Sequence, residues 1–209
     1  MAELPGWIGR LERRLGPWAL ENLGLFIVAM NAAVWALSLV KPDFPSLLAL
    51  DPALLVSGQP WRALTFLFVP PTTHPVWMLL WLYLLFVYAG ALEREWGDFR
   101  FNLFYLLGAL ALLGASLATG RGLSNMPLNA SIFLAFAALF PDFELLLFFV
   151  LPVKVKWLAA FAWAGILWTL LAGSWDSRLT TAAGILNYAV FFGPAHARDL
   201  RGRLRRRRW

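Results

Sequence analysis

The chain has 209 residues, a mean hydropathy of +0.65, 60% hydrophobic residues and 14% charged ones, with a formal net charge of +6. Soluble domains carry about 25% charged residues, so this composition excludes an ordinary soluble fold and points to one membrane-embedded domain. Without cysteine, disulfides, thiol nucleophiles and thiolate metal sites are excluded too.

Residues 1–22 lack the continuous apolar core and cleavage site of a signal peptide. Trp7, Leu11, Leu15 and Trp18 recur at three- and four-residue spacing, with Arg10, Arg13 and Arg14 on other faces. That pattern predicts a short amphipathic cytoplasmic helix on the membrane surface, broken near Gly16-Pro17. Residues 23–40 carry no charge, with Asn31 their one strongly polar member, and predict a first crossing ended by Lys41-Pro42-Asp43. The proline-rich connection over 41–73 contains a semi-apolar stretch, 61–69, too short to span.

Residues 76–92 again carry no charge, and residues 101–118 resume after the charged turn Glu93-Arg94-Glu95-Trp96-Gly97-Asp98. Each run is close to the ~20 residues that cross a bilayer, where a helix satisfies its own backbone. On 101–118, Ala111 with Ala115 and Gly114 with Ala118 suit close helix packing. Residues 128–140 form a short fourth apolar segment, and an apolar piece, 145–151, follows Pro141-Asp142-Phe143-Glu144. Residues 157–172 and 179–192 predict the fifth and sixth crossings. Trp18, Trp96, Trp157 and Trp175 fall near the ends of apolar runs, as an interfacial belt requires.

The expected fold is therefore all-α, a polytopic six-helix bundle. It divides into the N-terminal segment 1–22, the membrane domain 23–193 and a basic tail 194–209 ending in Arg205-Arg206-Arg207-Arg208-Trp209. Six crossings put both termini on one side. That side carries Arg10, Arg13, Arg14, Arg94, Arg100, Lys154, Lys156, Arg198, Arg201, Arg203 and Arg205 to Arg208; the other carries Lys41, Arg62, Arg121 and Arg178. The positive-inside bias places both termini in the cytoplasm of a multi-pass integral membrane protein, in the inner membrane if the source is bacterial. The tail is expected to meet anionic lipid, and nucleic-acid binding is not expected because no soluble module accompanies it.

Gly58-Gln59-Pro60-Trp61-Arg62-Ala63-Leu64-Thr65-Phe66 resembles the first loop of the rhomboid superfamily, which comprises intramembrane serine proteases and inactive relatives such as derlins. Glu93 and Gly97 are similar to that group's Glu-x-x-x-Gly turn. Phe140-Pro141 and Pro152-Val153-Lys154-Val155-Lys156-Trp157 resemble its link between fourth and fifth helices. The likeness covers residues 23–192. It implies that Trp61, Arg62 and Thr65 build a loop that holds the fold laterally, with Glu93 and Gly97 as structural motif residues. Independently of the likeness, Arg62 is a cation in an apolar segment and needs backbone carbonyls or phosphate, while Glu93 could take Arg100 or turn amides as partners.

The catalytic motif departs from that pattern. The Gly-x-Ser-Gly of rhomboid proteases corresponds here to Asn129-Ala130-Ser131-Ile132, and the base histidine of the sixth helix corresponds to Thr181. Counting back from Glu93, the oxyanion-stabilising His and Asn correspond to Trp77 and Trp81. Two histidines exist, His74 and His196; His196 lies fifteen residues past Thr181, ~22 Å along a helix. A serine without an adjacent base is a poor nucleophile.

Three readings follow. The first is a rhomboid-like pseudoprotease that binds transmembrane segments of client proteins laterally, with Asn129, Ser131, Thr181 and Asn187 lining a residual polar cavity. The second is a divergent intramembrane serine protease with Ser131 as nucleophile and His74 or water as base. The third is a small transporter, disfavoured because the helix cores hold no ionisable residue. Neither a metal nor an organic cofactor is expected, for want of a His/carboxylate ligand set or a glycine-rich phosphate loop.

Overall fold

A computed structural model describes residues 6–147 and 151–206. Arg207, Arg208 and Trp209 of the basic tail lie outside the described residues, as do residues 1–5 and 148–150.

Helix α1 (Gly6–Leu15) is followed by a short 3₁₀ turn, Gly16–Trp18, where Pro17 interrupts the helix. Its Ile8 is 1% exposed and its Glu12 carboxylate accepts from Arg100 Nη2 at 2.8 Å and Nε at 3.0 Å. The amphipathic segment is therefore docked on protein as well as facing outward. Helix α2 (Leu23–Val40) has the bounds its uncharged run predicts. Leu23, Ile27, Asn31, Val34 and Ser38 are buried, three or four residues apart, so one stripe faces the bundle.

Three short helices fill the connection: α3 (Phe44–Leu48), α4 (Pro52–Val56) and α5 (Arg62–Thr65), the last running into a 3₁₀ turn over Phe66–Phe68. Proline occupies the first turn of both α3 and α4, where its missing N–H costs nothing.

Helices α6 (Pro75–Trp96) and α7 (Asp98–Thr119) are each 22 residues long and share a single linking residue, Gly97. The charged turn expected over 93–98 is thus mostly helical. Gly97 has φ 80° and ψ 161°, a region open essentially to glycine alone. Its N–H donates to Glu93 O at 2.8 Å and its own carbonyl accepts from Phe101 N at 3.2 Å, ending one helix and beginning the next. On α7, Ala115 is buried, but Gly114 and Ala118 are exposed. The close contact is made instead by Gly108, one turn or two earlier than the expected pairs.

Helix α8 (Met126–Leu139) has only 14 residues, yet Leu128, Ser131, Ile132, Leu134, Ala135, Phe136 and Ala137 are all buried. It is the centre of the bundle, packed on by α6, α7 and the two helices that follow. An apolar helix surrounded on all sides in this way needs no polar face.

The apolar piece after it corrects the expectation of a purely helical chain. Strands β1 (Glu144–Leu147) and β2 (Leu151–Lys154) form an antiparallel hairpin pairing Glu144 with Lys154 and Leu146 with Pro152. Seven apolar residues between two prolines are too few to span, and the residue before Pro152 is biased toward extended backbone.

Helix α9 (Val155–Ala172) follows, then α10 (Trp175–Arg206). The expected sixth crossing, 179–192, is part of this 32-residue helix, which continues through Gly193-Pro194. Pro194 removes one helical hydrogen bond without stopping the helix.

Four of these helices, α2, α6, α7 and α9, are long and apolar enough to cross a membrane; α8 is apolar but shorter. Aromatic rings lock the layers: Trp96 lies 5.3 Å from Phe104 and 5.4 Å from Phe191, and Tyr88 lies 4.8 Å from Phe136. Substituting Gly97 by Val would force a β-branched residue into its backbone region. It should cost about 1–3 kcal/mol, read as a lowered unfolding midpoint in detergent, with Gly97→Ala intermediate.

Candidate functional site

Ser131 and Asn187 are fully buried and in contact where α7, α8 and α10 meet. Asn187 Nδ2 donates to Ser131 Oγ at 2.8 Å and to the Phe104 carbonyl at 3.3 Å, while Asn187 Oδ1 accepts from the Tyr188 N–H at 2.9 Å. Ser131 Oγ in turn donates to the Leu128 carbonyl at 2.7 Å. The hydroxyl proton is therefore committed to a backbone oxygen, and the group facing the hydroxyl is an amide donor. A general base has to accept that proton, so this arrangement holds the serine without activating it.

The close approach depends on glycines. A Cβ at Gly108 would lie 2.7 Å from Asn187 Nδ2 and overlap Leu128, and one at Gly184 would overlap Pro127. Small residues at such points let helix backbones approach in a membrane protein.

The other positions matched to catalytic groups are not brought to Ser131. Thr181 is half-buried on α10 and does not hydrogen-bond to it; Asn187, six residues further on, takes that place. Asn129 is also half-buried, with a buried Nδ2 that finds no hydrogen-bond partner among the described residues. Ser131 and Asn187 thus make a direct, fully buried contact. His74 is exposed at the start of α6, and His196 Nε2 lies 3.1 Å from the Tyr188 hydroxyl, in a stack with Phe192. Trp77 is half exposed and Trp81 packs partly against the core.

The loop residues form a second polar assembly. Arg62 is 4% exposed; its Nη1 donates to the carbonyls of Ser46 at 2.8 Å and Ala49 at 2.7 Å, and its Nε donates to Gln59 Oε1 at 2.7 Å. Thr65 Oγ1 donates to the Leu48 carbonyl at 2.9 Å. Together they satisfy carbonyls that the C-terminus of α3 leaves without helical partners. Of the two kinds of partner open to Arg62, backbone carbonyls are the ones present. Trp61, beside it, is 51% exposed.

Two asparagines fasten this loop to the bundle, and only one of them, Asn31, stands out in the sequence. Asn125 Nδ2 donates to the carbonyls of Leu67 at 2.8 Å and Val69 at 3.0 Å, and Asn31 Nδ2 reaches Leu67 at 3.5 Å while holding Ile27 at 2.9 Å. Asn125 immediately precedes α8, where asparagine reads as a helix cap, but its side chain makes no capping bond.

At the opposite end, Glu93 accepts from the Gly24 N–H at 3.3 Å, so it meets the start of α2 instead of Arg100, which Glu12 occupies. A carboxylate at a helix N-terminus complements the free N–H groups and the helix dipole.

The long apolar helices, the polar contacts sealed between them and the loop fastened by buried side chains define a helical integral membrane protein. The chain belongs to the family described as eukaryotic integral membrane protein (DUF1751), whose signature matches residues 23–193. No curated protein matches it.

The buried contact predicts an asymmetry between two α10 residues. Asn187→Ala leaves the Ser131 hydroxyl and the Phe104 carbonyl without their donor and should cost about 1–3 kcal/mol in denaturant unfolding. Thr181→Ala should stay within about 0.5 kcal/mol of wild type in the same assay.

Proposed function

We propose that the protein is a rhomboid-like membrane scaffold without protease activity that binds transmembrane segments of client proteins laterally. The observation that carries this reading is the apolar surface that α6 and α9 leave exposed. Both helices pack on α8, yet they make no substantial contact with one another. Helix α9 buries only Val155 and Ala159, both near its start, and leaves Phe161 83%, Trp168 72% and Leu171 76% exposed. A single apolar helix lying against this surface would meet aromatic side chains on α9 or the exposed Leu79, Tyr83 and Phe86 of α6. Sealing of Ser131 by Asn187, in place of a base, supports a binding role over hydrolysis.

In this reading α2, α6, α7, α8, α9 and α10 are six crossings, and both termini are cytoplasmic. The distribution of Lys and Arg between the two ends supports that orientation. The loop of Trp61, Arg62 and Thr65 acts as a lateral brace, Glu93 and Gly97 fix the α6–α7 turn, and the arginine-rich tail engages anionic headgroups.

Site-specific photocrosslinking in native membranes tests this surface. A benzophenone side chain at Phe161 or Tyr83 should yield adducts whose peptides map to transmembrane segments of other proteins. The same group at Leu25, which is 54% exposed on α2, should yield few. Equal adduct yield at all three positions would overturn the lateral-binding reading.

A further inference from the structure

Docking of α1 fixes which way its arginines face. Ile8 and Glu12 are the anchors, one inserted among core residues and the other bonded to Arg100. At about 100° per residue, Arg10, Arg13 and Arg14 lie roughly 140–240° around the helix from Ile8, on the side turned away from the bundle. All three are exposed, and among the described residues none of them forms an ion pair. Glu12 is the one carboxylate within α1, and Arg100 already occupies it.

The residues between this helix and α2 add an apolar component. Leu15 is 50% exposed, Trp18 84% and Leu20 61%, and α2 begins three residues later at Leu23. Glu93, on the last turn of α6, touches Gly24, so Arg94 lies at this same end of the bundle and adds a fourth exposed cation. Glu21 and Glu95 are exposed carboxylates at this end.

From this juxtaposition we propose that the outer face of α1 with the Leu15–Leu20 stretch is a docking surface for anionic phospholipid headgroups. Guanidinium groups bind phosphate oxygens through paired hydrogen bonds, and three of them on one face match the charge of a phosphatidylserine-rich surface. An exposed tryptophan and leucines beside the first residue of an apolar helix suit the interfacial layer below those headgroups. This surface is distinct in sequence from the C-terminal tail. Because the helix is held on α7 through Glu12 and Arg100, the backbone positions of its arginines are fixed in advance, and binding costs their side-chain freedom alone.

The test uses the full chain reconstituted in phosphatidylcholine vesicles with trace spin-labelled phosphatidylserine or phosphatidylcholine. The motionally restricted fraction of each label gives the selectivity. Wild type should prefer phosphatidylserine, and the preference should fall about threefold in the Arg10→Gln/Arg13→Gln/Arg14→Gln variant at low salt. The corresponding triple Lys variant, which keeps the charge, should retain most of the preference. Arg13→Gln alone should lose part of it, which gives a readout if the triple Gln variant elutes as aggregate. Unchanged selectivity in a Gln variant with wild-type helicity and elution, or an equal loss in the Lys variant, would overturn the proposal.

Discussion

Asn187 holds three helices in register at the centre of an otherwise apolar bundle. A buried amide that lost its partners would cost about twice what a satisfied one contributes, so its hydrogen bonds dictate where α7, α8 and α10 can sit. Ser131, the Phe104 carbonyl and the Tyr188 N–H supply those partners. Gly108 and Gly184 then follow as consequences, because the amide and the start of α8 occupy the space a side chain would need.

The same constraint explains the loop between α2 and α6. Short helices and a 3₁₀ turn leave free carbonyls, and where these are buried they must be met by protein. Arg62 and Thr65 meet them at α3, while Asn31 and Asn125 meet them at Leu67 and Val69. The loop is consequently tied to α2 and α8 together. At the other end, the Glu93 contact with Gly24 ties α6 to the start of α2. The least constrained long helix is α9, fastened near its start by Val155 and by the Lys154 and Lys156 pairing with Asp142, and largely unpacked beyond.

The long helices were legible because spanning a bilayer demands an uncharged run of nearly fixed length. The match over Leu23–Val40 shows how strong that demand is. Glu93 and Gly97 were picked out in the sequence by resemblance alone; the one-residue joint with positive φ that calls for glycine at 97 emerges only in the fold. The hairpin at Glu144 was not, because a short apolar run between prolines has no period that separates strand from helix. The continuation of α10 was hidden by Gly193-Pro194, which reads as a stop. Within the site, both members of the central pair were visible as polar residues on apolar helices, but their pairing was not. The resemblance pointed to Thr181, whereas the helix rotation brings Asn187 to Ser131. Gly108 passed unnoticed because its need arises from α8 and α10, not from its own helix.

If Ser131 is held by Asn187 as a structural group, it has no activated oxygen to offer an electrophile. Detergent-purified wild type and Ser131→Ala should then label equally weakly with a fluorophosphonate probe, beside an active rhomboid protease that labels strongly. Labelling of the wild type that disappears in Ser131→Ala would show an activated serine and contradict the account.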